Sequence, residues 1–279
     1  LPPLRILRLD LRGHGASDSP TAPYAMGAMI RDVERLLDHF ALKDAVILSA
    51  GEGGLIAQGL AIKRLDLVRA MALTGSSTRF ANPATWDTRL ARLRAEGPDL
   101  DAECAALLGP RWRQSPALPL TREMLTKTRP EGWQGFAAAI ATADFYQTTA
   151  TLQLPTLVLA GADDRKTPPD LQRETADLIA GSQFQLIRGG GHLAMLTQAQ
   201  AFAEPLLAFL LPIESDLDRE AAVRVHRRHL TGEDRVEDSD NAQFATVVGG
   251  EIGQGEQLDF HAKGTTGRRA QAKLTFGAF

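Results

Sequence analysis

Three glycine-rich turns carry residue types from which hydrolytic chemistry is built. Gly161-Ala-Asp-Asp164-Arg-Lys-Thr-Pro-Pro169 follows an apolar run and offers Asp164, and Gly189-Gly-Gly-His192-Leu193 follows the next run and offers His192. An imidazole oriented by a carboxylate is a general base at neutral pH. Upstream, Leu48-Ser-Ala-Gly51-Glu-Gly53-Gly54 joins an apolar run to a helix-like stretch. Strand, sharp glycine turn and helix make a nucleophile elbow, whose pattern is G-x-S-x-G. Here Gly51 occupies the nucleophile position, and Ser49 stands where the first glycine belongs. The order elbow, acid, histidine is that of a serine-type triad on an open α/β sheet. Glycine has no side chain to attack a carbonyl, and Ser49 sits a strand-step away from where His192 would act.

Each of these turns has a plainer reading. A lone Asp or His in a loop is usually a hydrogen-bonded surface residue; the pair, each in a glycine turn after a strand, favours catalysis. The turn at Gly51 to Gly54 also has the shape of a pyrophosphate cradle, but Ile56 stands where a dinucleotide fingerprint wants Gly or Ala. Asp10-Leu-Arg-Gly-His-Gly-Ala-Ser-Asp18 suits a tight turn at the carboxyl end of a sheet, either structural or part of a site. The other histidines are His14 in that turn, His39 on the polar side of a helix, and His226, His229 and His261 in the tail; none is better placed than His192. His226 and His229 lie three apart among arginines that repel a cation, so they read as a solvated face and no metal site is expected. The single Cys104 excludes an intrachain disulfide and any thiolate-rich metal centre.

The elements that must hold these turns alternate along the chain. Strand-length apolar runs occur at Arg5 to Leu9, Ala45 to Leu48, Val68 to Leu73, Thr156 to Ala160 and Phe184 to Ile187. Met29, Ile30, Val33, Leu36, Leu37 and Phe40 form the stripe of an amphipathic helix, and Ala199 to Leu211 reads as another, stopped by Pro212. This alternation predicts a mostly parallel α/β sheet with helices on both faces. Residues 79–150, with Trp86, Trp112 and Trp133 and no convincing strand, read as an inserted helical cap. The expected division is a domain over residues 1–212 and, from 213 to 279, a charged linker followed by a partial helical module. Leu1 in place of Met, with no strand before Arg5, and the apolar ending at Phe279 suggest a fragment whose first strands are missing.

Composition narrows the class. With 31 Lys and Arg against 34 Asp and Glu, the formal charge of −3 argues against a nucleic-acid surface spread over the molecule. No apolar run approaches the roughly 20 residues that span a bilayer, and no signal peptide is visible. A cytoplasmic protein without a membrane partner is the expectation.

Arg5 to about Pro212 resembles the α/β-hydrolase family, and within it the 3-oxoadipate enol-lactonases of the β-ketoadipate pathway. The resemblance rests on Arg5-Ile-Leu-Arg-Leu-Asp-Leu-Arg-Gly-His-Gly-Ala-Ser-Asp18, the elbow, Pro130-Glu-Gly-Trp-Gln-Gly-Phe-Ala-Ala-Ala-Ile140, Gly161 to Pro169 and Gly191-His-Leu193. It implies His192 as base, Asp164 as its orienting acid, Gly51 where the family carries Ser, and the Glu52 backbone N–H as an oxyanion donor. It implies no cofactor, a small lactone or ester substrate, a pocket cation for the substrate carboxylate, and Trp133 as a pocket residue. Turnover is expected to be impaired by Gly51. Two alternatives stay open: direct activation of water by His192 and Asp164, and a non-catalytic binding protein on the same scaffold. The tail resembles the start of a 4-carboxymuconolactone decarboxylase module through Val225-His-Arg-Arg-His-Leu-Thr-Gly-Glu-Asp-Arg-Val236, with fainter echoes at Gly250-Glu-Ile252 and Arg268-Arg269.

Overall fold

The computed structural model describes residues 5–80, 83–213 and the backbone of three later segments, 244–248, 258–263 and 269–274. Strands β1 (Arg5–Leu9), β2 (Ala45–Ala50), β3 (Val68–Thr74), β4 (Thr156–Gly161) and β5 (Gln183–Ile187) form where the apolar runs predict them. Helices α1 (Met26–His39), α2 (Gly53–Lys63), α8 (Pro169–Leu178), the short α9 (Ala194–Thr197) and α10 (199–213) alternate with them. Between β3 and β4 the chain is helical: α3 (Pro83–Glu96), α4 (Leu100–Leu108), a 3-10 turn at Trp112–Gln114, α5 (Leu118–Lys127), α6 (Pro130–Ala141) and α7 (Tyr146–Thr149). This is the inserted cap.

The tail departs from expectation. Its described segments are strands and not helices: β6 (Phe244–Val248), β7 (Leu258–Lys263) and β8 (Arg269–Leu274). The stretch Val225 to Val236 lies outside the described residues. Strand β6 enters the main sheet, whose order is β1-β6-β2-β3-β4-β5, while β7 and β8 pair antiparallel as a separate two-stranded sheet. Phe-Ala-Thr-Val-Val suits a pleated strand, and the slot between β1 and β2 gives it ladder partners on both sides. A smaller departure is α10, which continues through Pro212.

Every ladder of the six-stranded sheet is parallel. The carboxyl ends of all its strands therefore lie along one edge, where open α/β sheets place their sites. Side chains alternate between two cores. Ile47, Met71, Leu73 and Val158 pack with Val33 and Leu37 of α1 and Leu55 and Leu60 of α2. Val46, Ala70, Ala72, Leu157 and Leu159 face Phe202, Leu206 and Leu210 of α10. Helix α2 is buried from Gly53 through Ala61, apolar on nearly every side, as a helix enclosed between sheet and cap must be. Phe40 does not join the stripe of α1, because the helix has ended at His39 and the ring is left exposed. No helix among the described residues is long and apolar enough to cross a membrane.

Candidate active site

Each glycine turn leaves the sheet at its carboxyl edge. Gly51 follows β2 with φ +55, in the left-handed region that favours glycine, and its N–H donates to Thr74 O at 2.8 Å. Helix α2 begins two residues later. This is the strained elbow geometry, retained without the side chain it ordinarily presents.

His192 and Asp164 meet across this turn, both buried. His192 Nδ1 lies 2.9 Å from Asp164 Oδ2. Asp164 Oδ1 accepts from the Lys166 N–H at 2.9 Å and the Thr167 N–H at 2.8 Å, and Oδ2 accepts from Gln172 Nε2 at 3.1 Å. Ringed by donors, the carboxylate acts as acceptor, so Nδ1 carries the imidazole proton and Nε2 keeps its lone pair. That Nε2 is aimed at the elbow: a Cβ placed on Gly51 would stand 3.0 Å from it, and among the described residues beyond its chain neighbours only the same ring lies within 4 Å.

Gln172 is a residue that sequence reasoning missed. Fully buried on α8, it donates through Nε2 to Asp164 Oδ2 and to Thr167 O at 2.8 Å, and accepts through Oε1 from the Gly75 N–H at 2.8 Å. Gly75, with φ +60, passes directly behind the imidazole, where a Cβ would come within 2.8 Å of His192 Cε1. One side chain thus ties the acid turn to the backbone that supports the base. No motif marks it; a glutamine on a helix looks like surface until three chain segments close around it.

Glu52, next to Gly51, is also buried. Lys166 Nζ reaches it from the acid turn at 3.0 Å from Oε1 and 3.1 Å from Oε2. Burial alone would push this carboxyl up. The Lys166 ammonium, the charge His192 carries when protonated, and hydrogen bonds from Lys166 and from Glu52's own backbone N–H outweigh it and hold the carboxyl at about 2. The N–H expected to serve as an oxyanion donor is therefore already faced by the carboxylate of its own residue. Lys166 stands two positions after Asp164 in a turn already singled out, a signal that could have found it.

Gly51, Glu52, Lys166, Trp133 and His192 all line one pocket of about 760 Å³, counting its open mouth. Asp164 stands behind His192, outside it. The cap supplies most of the apolar wall, including Trp86, Leu107, Met124 and Phe136, and Trp133 holds a buried indole N–H with no partner among the described residues. His14 also lines the pocket; burial, the dominant influence, lowers its pKa, and its Nδ1 lies 3.1 Å from Arg12 O. Its turn is structural as well, for Gly13 lies against Gly132 of α6 so closely that a Cβ on either would overlap the other's backbone. Ser49 is buried, its Oγ has no partner among the described residues, and it does not reach the pocket.

A family model described as the alpha/beta hydrolase fold matches residues 4–199. The chain belongs to that family. Among curated relatives, 3-oxoadipate enol-lactonase 2 of Acinetobacter baylyi is 28% identical over 204 residues, covering 71% of this chain and 75% of that one. The pimeloyl-[acyl-carrier protein] methyl ester esterase of Chromobacterium violaceum is also 28% identical, covering 72% of this chain and 82% of its own. Among solved structures, the enol-lactonase from Burkholderia xenovorans superposes with a TM-score of 0.69 at 29% identity, over 72% of this chain and 79% of that one. Lactonases and esterases of this α/β-hydrolase family are thus similarly near.

Proposed function

We propose that this α/β hydrolase takes a small carboxylic ester or lactone into the pocket with its carbonyl over Gly51, and that turnover is impaired for want of a nucleophile. The observation that carries this reading is His192 Nε2, held by Asp164 and aimed at a Cβ position that Gly51 leaves empty. With serine there, His192 would take the hydroxyl proton, the oxygen would attack the carbonyl, and water would release the acid. Loss of a serine nucleophile costs on the order of 10⁶ in turnover, leaving what binding and oxyanion contacts supply. The finer reading is ring-opening of 3-oxoadipate enol-lactone to 3-oxoadipate in aromatic catabolism. It is supported by the resemblance of residues 5–212 and by the enol-lactonases among the relatives.

A second reading has its own observation. The space above Gly51 beside Nε2 is where a water molecule would stand for direct general-base attack, with no covalent intermediate. The test is ester and lactone hydrolysis by the wild type, Gly51→Ser, and Gly51→Ser with His192→Ala. A gain of about 10³ or more in Gly51→Ser, lost again without His192, is expected. No gain in Gly51→Ser would refute the primary reading. Wild-type hydrolysis that needs His192 and resists serine-acylating reagents would favour the second.

A further inference from the structure

Among the described residues, the lining of the pocket contains four formally charged side chains, and they are matched pairwise. Lys166 holds Glu52 at 3.0 Å, between the acid turn and the elbow. Arg89 of α3 holds Glu103 of α4 at 2.6 Å within the cap. An adjoining cavity shares Arg89, Leu93, Glu103 and Lys166, and its two further charges, Arg92 and Asp99, are likewise paired, at 3.3 Å. Burial lowers the pKa of His14. The remaining wall is largely apolar, with four aromatic or sulfur-bearing side chains in Trp86, Met124, Trp133 and Phe136.

An enol-lactone bearing a free carboxylate calls for a cation to receive it. Lys166 and Arg89 are the cations this lining offers, and each already compensates a carboxylate with little access to water. A substrate carboxylate taking either one would leave Glu52, which is buried, or Glu103, which is half-buried, without its partner. Stripping one member from a buried ion pair is strongly unfavourable, because the charge left behind has lost both water and counter-ion. An uncharged acyl or lactone side chain of the same shape meets no such penalty and buries apolar surface against the cap.

Resting on the reading of this cavity as an ester or lactone site, and against its finer assignment to a carboxylate-bearing enol-lactone, we infer that it selects uncharged substrates, with the Glu52–Lys166 and Arg89–Glu103 pairs acting as the filter against carboxylates. Specificity of this kind comes from what the wrong ligand would leave unpaired. Glu52 is the determinant nearest the reacting centre: its carboxylate occupies Lys166 and sets a like charge beside any incoming anion.

The experiment uses two γ-butyrolactones of matched shape, one with an isobutyl and one with a carboxymethyl substituent. Binding to the wild-type full chain is measured by calorimetry at pH 7, with recovered lactone checked for ring-opening. The isobutyl lactone is expected to bind about tenfold or more tighter than the carboxymethyl lactone. Glu52→Gln, which frees Lys166, is expected to tighten the carboxymethyl lactone about tenfold relative to the isobutyl lactone. Should Glu52→Gln not fold, Glu103→Gln frees Arg89 in the cap and is expected to act in the same direction. Equal or tighter binding of the carboxymethyl lactone by the wild type overturns the inference. So does a preference that neither variant changes, since the ion pairs would then not be its cause. Failure of both lactones to bind refutes the ester or lactone reading itself, and this inference with it, and is a result distinct from reversed selectivity.

Discussion

Neutralising Glu52 has a consequence for folding that can be worked from the structure. The carboxyl is buried, yet Lys166 and its other partners hold it at about 2 against an ordinary value of 4.5. A group with a depressed folded-state pKa stabilises the fold above its unfolded pKa and loses that contribution as pH falls toward the folded one. The distance from 4.5 to about 2 corresponds to about 3 kcal/mol at pH 7, falling to about 1 kcal/mol at pH 3. Urea unfolding of wild type and Glu52→Gln at a series of pH values isolates this group, because the other carboxylates cancel in the difference. The gap in stability is expected to shrink by about 2 kcal/mol between pH 7 and pH 3. A gap that stays constant over that range would refute the assignment of Glu52 as an ionised partner of Lys166.

Other expectations follow from the same contacts. Gln172→Leu leaves Asp164 Oδ2, Thr167 O and the Gly75 N–H each one partner short, at about 1–3 kcal/mol for a group left wholly unpaired; it is expected to destabilise the chain and to move the ring NMR signals of His192. A variant with unchanged stability and unchanged His192 ring signals would remove Gln172 from the site. Phe202→Ala empties a fully buried position of α10 and is expected to cost about 3–5 kcal/mol in urea unfolding, with a loss under 1 kcal/mol arguing against this packing. Deleting residues 214–279 removes the one strand paired with β1 among the described residues, so the amides of residues 5–9 are expected to lose protection in hydrogen exchange. Retained protection there would mean that β1 is held some other way.

What was legible in the sequence was local. Strands β1 to β5 are short apolar runs closed by glycine turns, and the turns carrying Gly51, Asp164 and His192 declare themselves by residue type and order. The helical cap shows in its absence of strand-like runs. What was not legible depends on segments meeting. The Lys166–Glu52 pair joins residues 114 apart, and neither is part of a motif that names the other. Gln172 gains its role from Gly75 and Asp164 arriving on either side of it. The slot that receives β6 is a property of the assembled sheet; Phe244 to Val248 follows a charge-dense stretch that reads as linker, and nothing local points to a place between β1 and β2. Phe40 shows the opposite failure, where periodicity carried an apolar stripe one residue beyond the helix end.

The central claim is a base in place and a nucleophile absent, and acyl trapping addresses it most directly. The wild-type chain and Gly51→Ser are each incubated with p-nitrophenyl acetate, quenched in acid, and weighed intact by mass spectrometry, with the modified residue located after digestion. The expected result is no acyl adduct on the wild type and a single acetyl group on residue 51 of the variant, lost when His192→Ala is added. An adduct on the wild type at Ser49 or at a residue lining the pocket, or a Gly51→Ser chain that stays unacylated, would contradict the claim.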